Sequence, residues 1–134
     1  MDKDVTNTAF ERGLALRKQV LGVDYVERSM TNADDFSRAM QELSTEYCWG
    51  TIWTRPGLSL RDRSLLNIGM ISALNRPHEL KLHVRAALGN GLSRQEIQEV
   101  LLQVAVYCGI PAGMASFQLA REVFAELDSE TSSD

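Results

Sequence analysis

NRPHELKLHVRAALGNGLSRQEIQEV, residues 75–100, reads as a helix, a tight turn and a second helix. Pro77 suits a first helical turn, where its missing N–H has no intrahelical partner to lose. Gly91 stops that helix, with Asn90 as a second candidate for the left-handed cap. Ser93-Arg-Gln-Glu96 is a capping box in which each side chain satisfies an otherwise orphaned backbone N–H, and it opens a helix to about Tyr107.

The same reading extends in both directions. Upstream, Ser59 is an N-cap with Asp62 in the first turn of a helix Leu60–Leu74. That helix is apolar around much of its circumference (Leu65, Leu66, Ile68, Met70, Ile71, Leu74), which predicts a core position. CWGTIWTRPGLS (48–59), broken by Gly50 and Pro56-Gly57, predicts an ordered loop. Before it come a helix of about Ala33 to Tyr47 capped by Asn32, a short turn or helix near Asp24–Ser29, and a first helix Thr8–Leu21 stopped by Gly22. Downstream, CGIPAG interrupts the chain before a last helix Ala112–Leu127, and the tail DSETSSD (128–134) is expected to fray. Alternating strand patterns and internal repeats are absent, so the expectation is one all-α domain, 1–134, of six or seven helices.

Composition narrows the function classes. The chain has 134 residues, enough for one core, with 14 Lys and Arg against 18 Asp and Glu. A net charge of −4 argues against a nucleic-acid surface, which shows as a basic excess. No apolar run approaches the roughly 18 residues of a membrane span. The start MDKDVTNTAFERG lacks the basic and apolar regions of a signal peptide. Cys48 and Cys108 match no metal or redox spacing; as unpaired thiols they fit the cytoplasm and are expected to be buried.

HELKLH (78–83) holds both histidines and resembles the zinc signature H-E-x-x-H, but the histidines are five apart. On a helix they stand about 140° apart and cannot hold one metal together. Glu79 and His83, four apart, lie about 40° apart and can meet. Ala86 and Ala87 continue that face to Asn90 and leave room for a small ligand. A solvated ion pair above a close helix-packing seam is the competing reading, and His78 reads as a surface residue.

WGTIWTRPGL (49–58), RDRSLLNIGM (61–70), residues 75–100 and AVYCGIPAG (105–113) together resemble the carboxymuconolactone decarboxylase family, over about Phe10 to Leu127. The resemblance implies an all-α fold shared with the alkylhydroperoxidase-D-like peroxidases, and a homo-oligomer, a hexamer. It also implies cofactor-independent decarboxylation of 4-carboxymuconolactone to 3-oxoadipate enol-lactone, in the protocatechuate branch of the β-ketoadipate pathway. The peroxidases carry C-x-x-C four residues before a histidine. Here that histidine falls on His83, the cysteines on Arg76 and Glu79, and a further acidic position near Ser64. With both thiols replaced, disulfide chemistry is not available at this site.

The implied lactone conjugates its departing carboxylate to its own carbonyl, so no pyridoxal, thiamine or metal is needed, and no cofactor motif occurs. What remains is a cation for a carboxylate, donors for the dienolate oxygen and an acid for the α-carbon. His83 is the candidate acid, with Glu79 orienting it and supporting its protonated form. Arg63, Arg55 and Arg85 are candidate carboxylate clamps, with surface ion pairs as the alternative. Trp49 and Trp53 either wall the site or anchor a loop, and Tyr107 and Cys108 are candidate pocket lining. Rival readings are a decarboxylase or isomerase of a related small acid, a thiol peroxidase, and a non-catalytic oligomeric stress or interaction protein.

Overall fold

The computed structural model describes residues 8–132, which cluster into two compact units divided between Ser59 and Leu60. Among the described residues there are seven α-helices, one π-helical segment and no strand. No helix is long and apolar enough to cross a membrane.

The first unit contains α1 (Ala9–Leu21), α2 (Val23–Thr31), α3 (Arg38–Leu43) and the π-helical segment Ser44–Trp53. Thr8 caps α1 by accepting from the Glu11 N–H, and Gly22, at φ 97°, ends it. The predicted loop from Cys48 is helical as far as Trp53. Gly50 does not break the helix there but permits a crossing. A Cβ at Gly50 would overlap the Ala9 carbonyl, and one at Gly13 would overlap the Thr45 carbonyl and the Gly50 backbone. Thr51 Oγ1 donates to the Glu46 carbonyl five residues back, in step with the wider π turn. Asn32 is not the N-cap of the next helix but the C-cap of α2. The N-cap of α3 is Ser37, and Asp34 closes the turn before it: its Oδ1 accepts from the Ser37 and Phe36 N–H groups while Ser37 Oγ accepts from the Asp34 N–H.

The second unit contains α4 (Leu60–Leu74), α5 (Pro77–Gly89), α6 (Arg94–Cys108) and α7 (Ile110–Ser132). The turns after α4 and α5 have the same construction. Asn75 (φ 57°) and Gly91 (φ 105°) take the left-handed position. The Arg76 and Leu92 N–H groups reach back to the Ile71 and Ala87 carbonyls, closing a Schellman motif in each case. The Ser93–Glu96 capping box forms as read. Ile68, Leu80, Val84, Ile97, Leu101 and Val123 fill the core, and burying each such side chain contributes about 1.5–3 kcal/mol.

Two expectations change here. Only one stripe of α4 is buried, Ser64, Ile68 and Ser72, while Leu66, Met70 and Leu74 are 50%, 47% and 64% exposed. The tail does not fray from Asp128: α7 continues to Ser132, its acids held by Arg94–Asp128 (2.7 Å) and Arg85–Glu130 (3.2 Å) ion pairs. Ser133 and Asp134 lie outside the described residues.

Candidate active site

His83, Glu79, Arg63, Arg85 and Tyr107 lie in the second unit; Trp49, Trp53 and Arg55 lie in the first. Helix α5 sets the central pair. Leu80, Val84 and Ala87 bury one side of the helix, which leaves His83 half-buried beside them and Glu79 exposed one turn earlier. Burial pushes the His83 imidazole below its ordinary pKa, and the Glu79 charge pulls it back only in part. Of the two effects burial is the larger, and the balance favours neutral imidazole. His78 is exposed.

The alanine seam resolves towards packing. Ala86 and Ala87 are 5% and 0% exposed, and Ala87 belongs to the core. One turn further, Asn90 Nδ2 donates to Ser64 Oγ at 2.9 Å. A neutral amide–hydroxyl bond thus joins α4 and α5.

The arginines separate. Arg85 pairs with Glu126 and Glu130, each 3.2 Å away, and these surface ion pairs tie α5 to α7. Arg63, beside Ser64 on α4, is half-buried with its Nε shielded from solvent. Arg55 is exposed just past the π-helical segment. Tyr107 and Cys108 line an apolar cavity of about 300 Å³ with Leu65, Leu66, Gly69 and Val104. Cys108 is exposed, against expectation.

In the first unit Trp49 and Trp53 are buried and stacked, centroids 4.5 Å apart, so the pair anchors the π-helical segment. The sequence reading passed over Arg17, the buried charged side chain among the described residues. Its Nη1 donates to Gln41 Oε1 (3.0 Å) and Thr45 Oγ1 (3.1 Å), and burial lowers its pKa. The signal was present: Arg17 interrupts the buried stripe Gly13–Arg17–Val20. Cys48 is partly buried and its thiol pKa is raised by that burial, despite opposing effects of Arg17 and Trp53.

Residues 38–122 match the Carboxymuconolactone decarboxylase family. The chain is 47% identical over 117 residues to a nitrosuccinic acid decarboxylase of Metarhizium robertsii, covering 84% of this chain and 82% of that protein. It is 40% identical over 118 residues to the 4-carboxymuconolactone decarboxylase of Acinetobacter baylyi, covering 88% of each. An uncharacterized 15.0 kDa protein of Paracoccus denitrificans is 36% identical over 103 residues, covering 69% of this chain and 76% of that one.

Proposed function

Because the chain belongs to the carboxymuconolactone decarboxylase family, we propose that it is a cytoplasmic, cofactor-independent carboxy-lyase that converts 4-carboxymuconolactone to 3-oxoadipate enol-lactone in aromatic catabolism. The carboxylate on the γ-carbon leaves as CO2. Its electron pair passes through the ring double bond to the lactone carbonyl oxygen, and a proton is then delivered to the α-carbon. His83 is the proton donor, Glu79 orients it, and Arg63 is the clamp for a substrate carboxylate. The observation that carries this reading is the half-buried His83 one turn from Glu79, in a chain so similar to a decarboxylase of that lactone.

The 47% identity to a nitrosuccinic acid decarboxylase favours a second reading on the same chemistry. A carboxylate beside a nitro group loses CO2 into a nitronate, so that acid also carries its own electron sink and also needs a proton on carbon. CO2 release from each acid by chelator-treated protein decides between them. The proposal expects faster turnover of the lactone, undiminished by the chelator. Faster turnover of nitrosuccinate would select the second reading, and zinc-dependent activity would contradict both.

The neutral preference of His83 has a pH consequence. Only the imidazolium donates, so kcat/KM is expected to rise as pH falls towards a pKa below 6.5. A bound polyanion favours the cation, so the corresponding pKa in the kcat profile should be higher. Profiles with identical midpoints would contradict a donor facing the bound substrate.

We also propose a homo-oligomer, a hexamer. Leu74, Val106, Ile110 and Met114 in the second unit are each more than 60% exposed, the kind of apolar surface that association covers. Light scattering at micromolar concentration is expected to give a multiple of 15.0 kDa; a monomer would contradict it.

A further inference from the structure

One apolar face of the first unit repeats at a helical interval and stays exposed. Phe36, Met40, Leu43 and Tyr47 are four, three and four residues apart, from the turn before α3 into the π-helical segment, and that spacing sets them in one stripe. Phe36 is 92% exposed, and the other three are each more than half exposed. The opposite face is already used within the unit, where Gln41 and Thr45 accept from the buried Arg17. An apolar helical stripe left in water behind a packed face has the form of a docking element. Glu42 and Glu46 flank it, each one residue before an apolar member of the stripe. Both are exposed and make no ion pair among the described residues. Like charges about one turn apart repel, so this flank favours a cation opposite it.

The second unit carries a matching face. Leu74 ends α4 and Ile110 and Met114 open α7, all three exposed. Their chain neighbours Ala73, Pro111 and Ala115 line one cavity with Arg76, so the three apolar residues and this cation share one end of the unit. Arg76 is exposed and makes no ion pair among the described residues. We infer that the Phe36–Tyr47 stripe of one copy docks on the Leu74–Met114 face of a second copy, with Glu42 and Glu46 turned towards Arg76. This contact presupposes the self-association proposed above and gives it two faces and a symmetry. Stripe against stripe would set Glu42 and Glu46 against their own copies, and like charges facing each other across an interface are unfavourable. Face against face would do the same to Arg76 and leave the stripe in water. A contact between two unlike faces is heterologous, the kind that builds rings rather than simple dimers.

Native mass spectrometry of two full-length variants tests the pairing. One carries Phe36→Asp with Met40→Asp in the stripe, the other Ile110→Asp with Met114→Asp in the face. All four side chains are exposed, so both variants should fold, which circular dichroism checks. Each alone is expected to run as the 15.0 kDa monomer. Mixed in equal amounts, they should form a complex of one chain of each and nothing larger, because the pair retains one sound face and one sound stripe. Charge reversal gives a second reading on surface positions. Arg76→Glu should weaken association by about tenfold, and Glu42→Arg with Glu46→Arg in the same chain should recover most of that loss. Parent-like assembly of the stripe variant would overturn the contact while leaving self-association standing. A mixture that stays monomeric, or a charge reversal without recovery, would overturn the pairing of unlike faces. A parent protein that is itself a monomer would remove the contact together with the assembly.

Discussion

Replacing His83 by glutamine is expected to lower kcat by about 10²-fold or more, the scale of general acid catalysis, with a smaller change in KM. Glutamine keeps a hydrogen-bond donor but has no proton to give at neutral pH, so the loss isolates proton transfer from binding. His78→Ala is the internal control. His78 is exposed about 140° round the same helix, and its loss should leave kcat within a few-fold of the parent. Circular dichroism and oligomer size establish that the His83 variant is folded, because the imidazole also fills space beside Leu80 and Val84. A folded His83→Gln protein with near-normal kcat would transfer the donor role to another acid.

Gly13→Ala and Gly50→Ala are expected to destabilise the first unit by about 3 kcal/mol each, the upper end for overpacking. The added methyl group meets backbone in both cases: the Thr45 carbonyl and Gly50 amide for Gly13, and the Ala9 carbonyl for Gly50. Backbone cannot escape by changing rotamer, so α1 and the π-helical segment must separate. Gly89→Ala makes the opposite prediction. Nothing lies within 4 Å of a Cβ there, and alanine should stabilise α5 by up to about 1 kcal/mol. Urea unfolding of the three variants reads the contrast. Equal stability of Gly13→Ala and the parent protein would show that this crossing is looser than it stands.

What was legible in the sequence was chemistry acting over three or four residues. The Ser93–Glu96 box, Pro77 at the start of α5 and the left-handed Gly91 all formed as read, because each satisfies backbone groups next to it. Asn32 was misread because Asp34 and Ser37, two and five residues later, bond each other reciprocally, and a lone Asn cannot compete with such a pair. Gly50 looked like a breaker because its use depends on the close approach of the Ala9 backbone, 41 residues away in the chain. The extension of α7 past Leu127 rests on partners 34 and 45 residues distant.

The site divides in the same way. Glu79 and His83 were legible because one helical turn brings them together. Arg85 was not, because its partners Glu126 and Glu130 sit on α7, and no local pattern announces them. The net direction of the His83 pKa was also hidden. Glu79 is visible in the sequence as a stabiliser of the cation, but the burial that outweighs it comes from packing. Nor could periodicity say which face of α4 is buried. The small serines Ser64 and Ser72 face inwards and leave larger apolar residues such as Leu74 outside.

The central claim, decarboxylation with protonation by the protein, is tested most directly by incubating the metal-free enzyme with 4-carboxymuconolactone in D2O and following the product by NMR. The account predicts stoichiometric CO2 release and one deuteron on a single face of the product α-carbon, because one positioned acid delivers it, with slow turnover in His83→Gln. No CO2 release, or deuterium shared equally between the two faces, would contradict it.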